Sequence, residues 1–299
     1  MADIDYMVVQ DPDQKVKGKN QSAFAMTIRR LVKNKSAMFG IGIFILLVIS
    51  AILSQWIIPY NYTKISVSEA FEVPSVKHWF GTDDLGRDIF SRIIYGGRYS
   101  LRLGVMAVSL SMSIGMVIGA LAGYNGGWVD NLFMRLLDVQ AAIPGMLLSI
   151  AVAAVLGSGF NKTVIALAIG GIPAYARMLR AQILSVRKKE YIEAAQAIDC
   201  SNARVIIKHI LPNTLSPLIV QATMQCANTL ITAAALSYIG LGVQPPEPEW
   251  GAMLSGARGY IRQYPHMLIF PGFFIMLIVV SLNMFGDGLR DAMDPKLKK

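Results

Sequence analysis

Apolar and polar stretches alternate along this chain on the length scale of a membrane crossing. Residues 38–58 form an apolar run of 21 residues without a charged side chain. At about 1.5 Å per residue, a helix of this length crosses roughly 30 Å of hydrocarbon. Further apolar runs cover residues 103–123, 141–157, 163–178, 216–240 and 267–285. The pattern predicts an all-α, polytopic membrane protein with six transmembrane helices.

The composition favours the same class of protein. Hydrophobic residues make up 54% of the chain and charged residues only 16%, which is typical of a multi-pass membrane protein and not of a soluble enzyme. The net charge of +9 is divided among the segments between the apolar runs. It forms no single basic patch with interleaved aromatics, so nucleic acid is not an expected partner. Cys200 and Cys226 form no CxxC pair and predict neither a disulfide framework nor a metal site.

The apolar runs also define the domain organisation. We expect a polar N-terminal tail at 1–37, a first and uncleaved transmembrane helix at 38–58, an extracytoplasmic or interfacial segment at 59–102, a domain of five helices at 103–288 with a charged loop at about 184–213, and a C-terminal tail at 289–299. Nineteen of the 28 Lys and Arg residues fall in the tails and in the loops on the same side as the N-terminus. This bias predicts that both termini and the charged loop are cytoplasmic.

The most unusual stretch is the charged segment, residues 187–213, with the sequence RKKEYIEAAQAIDCSNARVIIKHILPN. Apolar positions recur at helical spacing before residue 199, and turn-forming residue types follow at 199–202. A second short helix at 203–211 is expected to end before Pro212. The segment therefore predicts two short helices at an angle. They would dock a soluble partner protein or lie on anionic lipid, which Lys188 and Lys189 would favour.

The letters EAA, a turn six residues after the Glu, and HILPN resemble the cytoplasmic coupling loop of permease subunits in bacterial ATP-binding-cassette importers. The resemblance implies that Glu193, Ala194, Ala195 and Asp199 dock an ATPase subunit. Asp199 stands where the family usually has Gly. This departure is mild, because Asp adopts left-handed backbone geometry more readily than most residues.

Two further blocks, HWFGTDDLGRDIFSRIIYGGRYSL and the closing GDGLRDAMDPKLKK, resemble the dipeptide, oligopeptide and nickel branch of these permeases, in its second-permease (C-type) group. The resemblance implies the transmembrane domain of a type I importer with a cytoplasmic coupling helix, in the bacterial cytoplasmic membrane. It also implies three kinds of partner besides membrane lipid: a second homologous permease, two ATPase subunits that bind ATP and Mg, and an extracytoplasmic solute-binding protein. The implied function is peptide import by alternating access. A nickel or metallophore importer shares these motifs and stays the alternative.

Taken by themselves, the charged residues of the first of these blocks have a simpler interpretation. Asp83, Asp84, Arg87, Asp88 and Arg92 lie three and four positions apart. This spacing predicts ion pairs along a helix at the membrane surface. A ligand site is the alternative.

Small residues mark two of the apolar runs. Ser111, Gly115, Gly119 and Gly123 recur at every fourth position. Such a ladder lets two helix backbones approach closely, which predicts helix packing. Gly170, Gly171 and Pro173 predict a bend in a later run, because proline removes a backbone hydrogen bond.

A polar stripe follows one face of the run at 216–240. Its members recur at helical spacing: Gln221, Gln225, Asn228, Thr229 and Thr232. Polar side chains are costly against lipid, so this face should point into the protein or toward water. The stripe is a candidate lining of a translocation path. Hydrogen bonding to a sister subunit explains it equally well.

Motifs for catalysis are missing from the sequence. It contains no GxxxxGK[ST] loop for nucleotide phosphates, no HExxH and no GxSxG. We therefore expect a transport subunit and not an enzyme, with no catalytic residue, metal site or cofactor of its own. A non-transporting membrane protein that binds DNA or lipid, or an intramembrane enzyme, is the less favoured alternative.

Overall fold

The computed structural model describes residues 23–187, 189–190, 192–193 and 200–293. Its helices are α1 (Ala23–Lys33), α2 (Lys35–Ile52), α3 (Ser54–Ile57), α4 (Ile89–Asn125), α5 (Gly127–Ala141), α6 (Gly145–Leu156), α7 (Phe160–Val186), α8 (Leu211–Tyr238), α9 (Trp250–Ala257) and α10 (His266–Met293). Between α7 and α8, Asn202–Arg204 forms one helical turn and Val205–Ile210 forms a π-helix.

Five of the described helices are long and apolar enough to cross a membrane: α2, α4, α7, α8 and α10. Helices α5 and α6 meet the same criteria together, although they are bent by 87° at the break between them. Counted as one crossing, this bent pair raises the total to six. The prediction of an all-α membrane protein is confirmed, and the predicted six crossings result when the bent pair is one of them.

The first apolar helix is shorter than the run at 38–58. It begins at Lys35, where the Asn34 side chain accepts a hydrogen bond from the Ala37 N–H at 3.1 Å, and it ends at Ile52. The guanidinium of Arg98 on α4 donates to the Ala51 and Ile52 carbonyls at 2.7 and 2.6 Å. These carbonyls have no partner within the helix, so Arg98 satisfies its end.

The acidic and basic residues at 83–92 do not form the predicted surface helix. Gly81 and Gly86 adopt φ angles of +77° and +70°, which a helix cannot contain. Between them Asp83 accepts the N–H groups of Leu85 and Arg87 at 3.0 and 2.9 Å, closing a tight turn. The predicted ion pairs are present, since Arg87 pairs with Asp83 at 2.6 Å and with Asp84 at 3.6 Å, and Arg92 lies 3.6 Å from Asp83. The surface helix that was to carry them was wrong, because the glycines in left-handed geometry form a turn in its place.

Asp88 ends this turn and begins α4, 14 residues before the run that we expected to start at 103. Its carboxylate accepts the Ser91 N–H at 2.7 Å as a helix cap and the His78 ring nitrogen Nδ1 lies 2.9 Å away. Asp88 and Arg92 are almost completely buried, at 3% and 4% exposure. The charged residues thus hold the segment before α4 onto the helix bundle.

The ladder of small residues lies where α4 packs along α7. The hydroxyl of Ser111 donates to the Ala168 carbonyl at 2.8 Å. A Cβ atom added to Gly115 would lie 2.7 Å from the Cβ of Tyr175, and one added to Gly119 would lie 2.5 Å from the Ala176 carbonyl oxygen. For Gly123 the nearest atom, in Ile183, would be 3.1 Å away. At these positions the two backbones approach too closely for a larger side chain.

Helix α7 runs without interruption through the predicted weak point. Pro173 lies inside the helix and is buried, as is Gly171, which packs against Ser111. The helix is continuous through Pro173, so the predicted weak point does not break it. Tyr175, Leu179 and Ile183 continue the buried face toward the far end of the helix.

The chain enters α8 differently from the expectation for residues 203–211. Val205–Ile210 forms a π-helix that leads directly into α8, and Pro212 lies in the first turn of that helix. The predicted helix end before Pro212 was wrong. Proline is tolerated in a first turn, where its missing N–H would have no partner, and the wider π-turn before it accommodates the change of register.

Helix α9 lies in the long connection between α8 and α10 and is fastened to α4. The buried carboxylate of Glu249 caps it by accepting the Gly251 and Ala252 N–H groups at 3.0 and 2.8 Å. Burial raises the pKa of this carboxyl. The Trp250 indole donates to the Ile93 carbonyl of α4 at 2.9 Å.

Candidate functional site

The polar stripe of α8 divides between two cavities and an outer surface. Three of its members, Gln225, Thr229 and Thr232, line one cleft of about 120 Å³. The rest of its lining comes from the start of α6 and the middle of α7: Gly145, Met146, Ser149, Leu167, Gly170 and Gly171. We call this space the α6–α8 cleft.

The other two members of the stripe lie elsewhere. Gln221, one turn closer to the start of α8, lines a separate cavity of about 440 Å³ with Arg290 of α10 and the methionines at 178, 224 and 293. Asn228 is exposed on the outside of the chain and lines neither cavity. The stripe is therefore continuous on the helix, but its members face different surroundings.

The α6–α8 cleft exists because the crossing made by α5 and α6 is broken. Pro144, whose backbone is extended, separates the two helices, and α6 starts at Gly145. Gln140, at the end of α5, donates to the Ile169 carbonyl of α7 at 2.5 Å and fixes the break beside that helix. Glycines on the facing walls leave space that side chains would otherwise fill.

The walls of the cleft are polar but carry no formal charge. Ser149 is buried and its hydroxyl donates to the Gly145 carbonyl at 3.0 Å. Thr232 donates to the Asn228 carbonyl at 3.0 Å. Thr229 is only 7% exposed, and within the described part of the chain its hydroxyl has no hydrogen-bond partner. The side-chain amide of Gln225 likewise has no partner among those residues.

The charged segment is anchored at both ends by apolar residues. Ile192, Val205 and Ile210 are completely buried and join the cluster formed by α4, α7 and α8. Glu193, next to Ile192, is exposed. Ala194, Ala195 and Asp199, the other residues predicted to dock an ATPase, lie outside the described residues. Glu193 is therefore exposed directly beside a residue that is fixed in the apolar core.

Charged residues at 83–92 also line a cavity of about 210 Å³, which is separate from the α6–α8 cleft. Its charged lining consists of Asp83, Asp84, Arg87, Arg92 and Glu247. Four of the five belong to the block for which a ligand site was the alternative. Among the described residues, no group of three or more His, Cys, Asp or Glu side chains is arranged to hold a metal ion.

Sequence reasoning missed the break at the start of α6 and an ion pair between α5 and α7. Pro144 and Gly145 marked the beginning of an apolar run but not a break within a crossing. Asp130 of α5 accepts two hydrogen bonds from Arg180 of α7, at 2.5 and 2.6 Å. A charged pair of this kind is visible in the sequence only as two separate residues, 50 positions apart.

Comparison with family models gives two matches. Residues 115–299 match the family described as binding-protein-dependent transport system inner membrane component. Residues 22–74 match the N-terminal TM domain of oligopeptide transport permease C. Together they include the charged segment, the cleft and the first apolar helix.

Two curated relatives are similar over nearly their whole length. The dipeptide transport system permease protein DppC of Alkalihalophilus pseudofirmus is 45% identical over 277 residues, which cover 93% of this chain and 91% of the relative. The glutathione transport system permease protein GsiD of Escherichia coli O6:K15:H31 is 48% identical over 271 residues, covering 90% and 89%.

A solved structure of the MetNI methionine ABC transporter in an inward-facing conformation has a similar fold. The TM-score is 0.55 at 19% sequence identity, and the match covers 68% of this chain and 97% of that one. At this identity the likeness concerns the fold alone.

Proposed function

The chain belongs to the family of binding-protein-dependent transport system inner membrane components, and on that premise we propose that it carries di- and oligopeptides across the bacterial cytoplasmic membrane. It is a permease subunit of an ABC importer and not an enzyme, since ATP hydrolysis in this family takes place on separate subunits. The observation that carries the peptide assignment is the 45% identity to a dipeptide permease over 93% of the chain. The second relative transports glutathione, itself a short peptide, which favours peptide over nickel as the substrate.

The proposed orientation places the charged segment in the cytoplasm together with both termini. The distribution of Lys and Arg supports this orientation. The cavity lined by Asp83, Arg92 and Glu247 then lies on the extracytoplasmic side, where a solute-binding protein delivers the substrate. Arg290 and the cavity that contains Gln221 lie toward the cytoplasm.

The charged segment is the part of this chain that receives the ATPase. Glu193, Ala194, Ala195 and Asp199 form the docking site, and two such subunits bind ATP and Mg. Closure of the ATPase dimer moves this segment and its counterpart in a second homologous permease, so that the path opens alternately to the two sides. The buried Ile192 supports this role, because a firmly anchored segment transmits movement to α7 and α8.

Helix α8 forms one wall of the path. Gln225, Thr229 and Thr232 face a cleft inside the chain, which supports a role in the path over one as contacts to the sister permease. Asn228 is exposed and remains available for such a contact. Gln221 belongs to the cytoplasmic mouth of the path.

Copurification tests the proposed complex. A tag on the C-terminus and mild extraction from native membranes should recover a second six-span permease and one or two ATPases, identified by mass spectrometry. Recovery of this chain alone, under conditions that keep a known importer intact, would contradict the complex. The charged segment would then be better explained as a helix on the lipid surface.

A further inference from the structure

The break between α5 and α6 leaves the start of a helix at the α6–α8 cleft. α6 has 12 residues, and no side chain caps its first turn. Its first backbone hydrogen bond joins the Leu148 N–H to the Pro144 carbonyl at 3.0 Å. The N–H groups before Leu148 therefore have no partner within the helix, and they carry the positive end of its dipole. Gly145 and Met146, which hold the first two of them, line the α6–α8 cleft.

A second observation on the facing helix also indicates a ligand. Thr229 lines the same cleft and the residue is only 7% exposed, and its hydroxyl has no hydrogen-bond partner among the described residues. A hydroxyl without a protein partner inside a helix bundle needs water or a ligand to complete its hydrogen bonding. The amide of Gln225 adds further donors on the same wall. The cleft thus has donors on two helices aimed at a space of about 120 Å³.

The chemistry of the walls selects the kind of group that fits. None of the lining residues is charged. No carboxylate is therefore present to repel an anion, and no basic side chain is present as its partner. The hydroxyl and amide oxygens on these walls are uncharged, and no carboxylate is present to balance the charge of a cation. An anion would receive hydrogen bonds from free N–H groups at a helix start, an arrangement that broken membrane helices use for carboxylates.

We propose that the α6–α8 cleft is a subsite for the C-terminal carboxylate of the transported peptide, held by the first N–H groups of α6 and by Thr229 and Gln225 of α8. This inference rests on the proposed peptide transport. It assigns to the permease the recognition of a group that all unmodified peptides share. Side-chain differences among peptides are then left to other parts of the complex.

Three substitutions isolate the subsite. Thr229→Val keeps the shape of the side chain and removes only the hydroxyl, whereas Thr229→Ser retains it. Gly145→Asp introduces a carboxylate at the start of α6, where an added Cβ meets no atom within 4 Å. An acidic residue is favourable in the first turn of a helix, so this variant should fold. Thr223→Val is the matched control, because the Thr223 hydroxyl donates to the Ile219 carbonyl at 3.0 Å and lies outside the cleft.

The experiment measures equilibrium binding of radiolabelled dialanine and dialanine amide to the purified complex in nanodiscs, without binding protein. The wild-type complex should bind dialanine about tenfold more tightly than the amide, the effect expected of hydrogen bonds to a charged group. Thr229→Val and Gly145→Asp should lose most of this preference, and Thr229→Ser and Thr223→Val should keep it.

Each result other than this pattern contradicts the subsite. Equal binding of both probes by the wild type, an unchanged preference in Thr229→Val and Gly145→Asp, or loss of the sister permease from the Thr229→Val complex would each overturn it. ATP-dependent uptake of dialanine by the wild-type complex is measured in parallel. Failure of that uptake contradicts the proposed function, whereas normal uptake with an unchanged preference contradicts the subsite alone.

Discussion

Glu193→Arg should leave the complex assembled and able to hydrolyse ATP while peptide uptake falls by at least about tenfold. Glu193 is exposed, so its replacement removes no packing from this chain. The neighbouring Ile192 stays buried and continues to hold the segment on α7 and α8. A reversed charge at a protein interface replaces an attraction with a repulsion that costs several kcal/mol. Movement of the ATPase would then no longer be transmitted to the bundle.

The measurement compares ATP hydrolysis with peptide uptake in the same proteoliposomes. Asp291→Arg is the matched control, because it makes the same change of charge at an exposed carboxylate near the end of α10, outside the charged segment. The control should transport normally. Unaltered uptake by Glu193→Arg would rule out this residue as part of the docking site.

Gly119→Leu should prevent stable folding of the chain. A Cβ at this position would lie 2.5 Å from the Ala176 carbonyl oxygen and 3.1 Å from the Leu179 Cβ, and neither atom belongs to the far end of a flexible side chain. The two helices would have to separate along their whole contact. Overpacking of this kind costs about 3 kcal/mol.

Gly42→Leu makes the same substitution in α2, where an added Cβ has no neighbour within 4 Å in this chain. The yield and the thermal unfolding temperature of the detergent-solubilised protein should fall sharply for Gly119→Leu and stay near wild type for Gly42→Leu. Equal losses in both variants would show that the α4–α7 contact has no special requirement for a small residue.

The elements that the sequence predicted well are those whose signal is local. The apolar run at 38–58 needs only its own residues to specify a crossing helix, and α2 lies within three residues of its predicted start. The ladder from Ser111 to Gly123 predicted a close helix contact because only small residues permit one. It could not name the partner, which is α7.

The features that the sequence did not predict depend on geometry between distant residues. Pro144 indicates a helix start, but the angle of 87° between α5 and α6 is held by contacts such as the Gln140 hydrogen bond to Ile169. The turn at 83–88 was predicted as a helix because Asp and Arg recur there at helical spacing. The glycines at 81 and 86, which favour a turn, were not taken into account. The turn that contains Gly86 is closed by the Asp83 carboxylate, which accepts the Arg87 N–H.

The candidate site shows the same division. Periodicity placed Gln225, Thr229 and Thr232 on one face of α8, and these three share a cleft. Periodicity could not separate them from Gln221 and Asn228, because the surroundings of each depend on which helix packs opposite. The start of α6, which completes the cleft, lies 80 residues or more before its partners on α8 in the chain.

Transport of a labelled dipeptide is the most direct test of the central claim that this chain is the permease of a peptide importer. The complex purified through this chain is placed in proteoliposomes with the binding protein on one side and MgATP on the other. We expect dialanine to accumulate only when ATP and the binding protein are both present. ATP hydrolysis without dialanine accumulation, in a complex that accumulates nickel instead, would contradict the account.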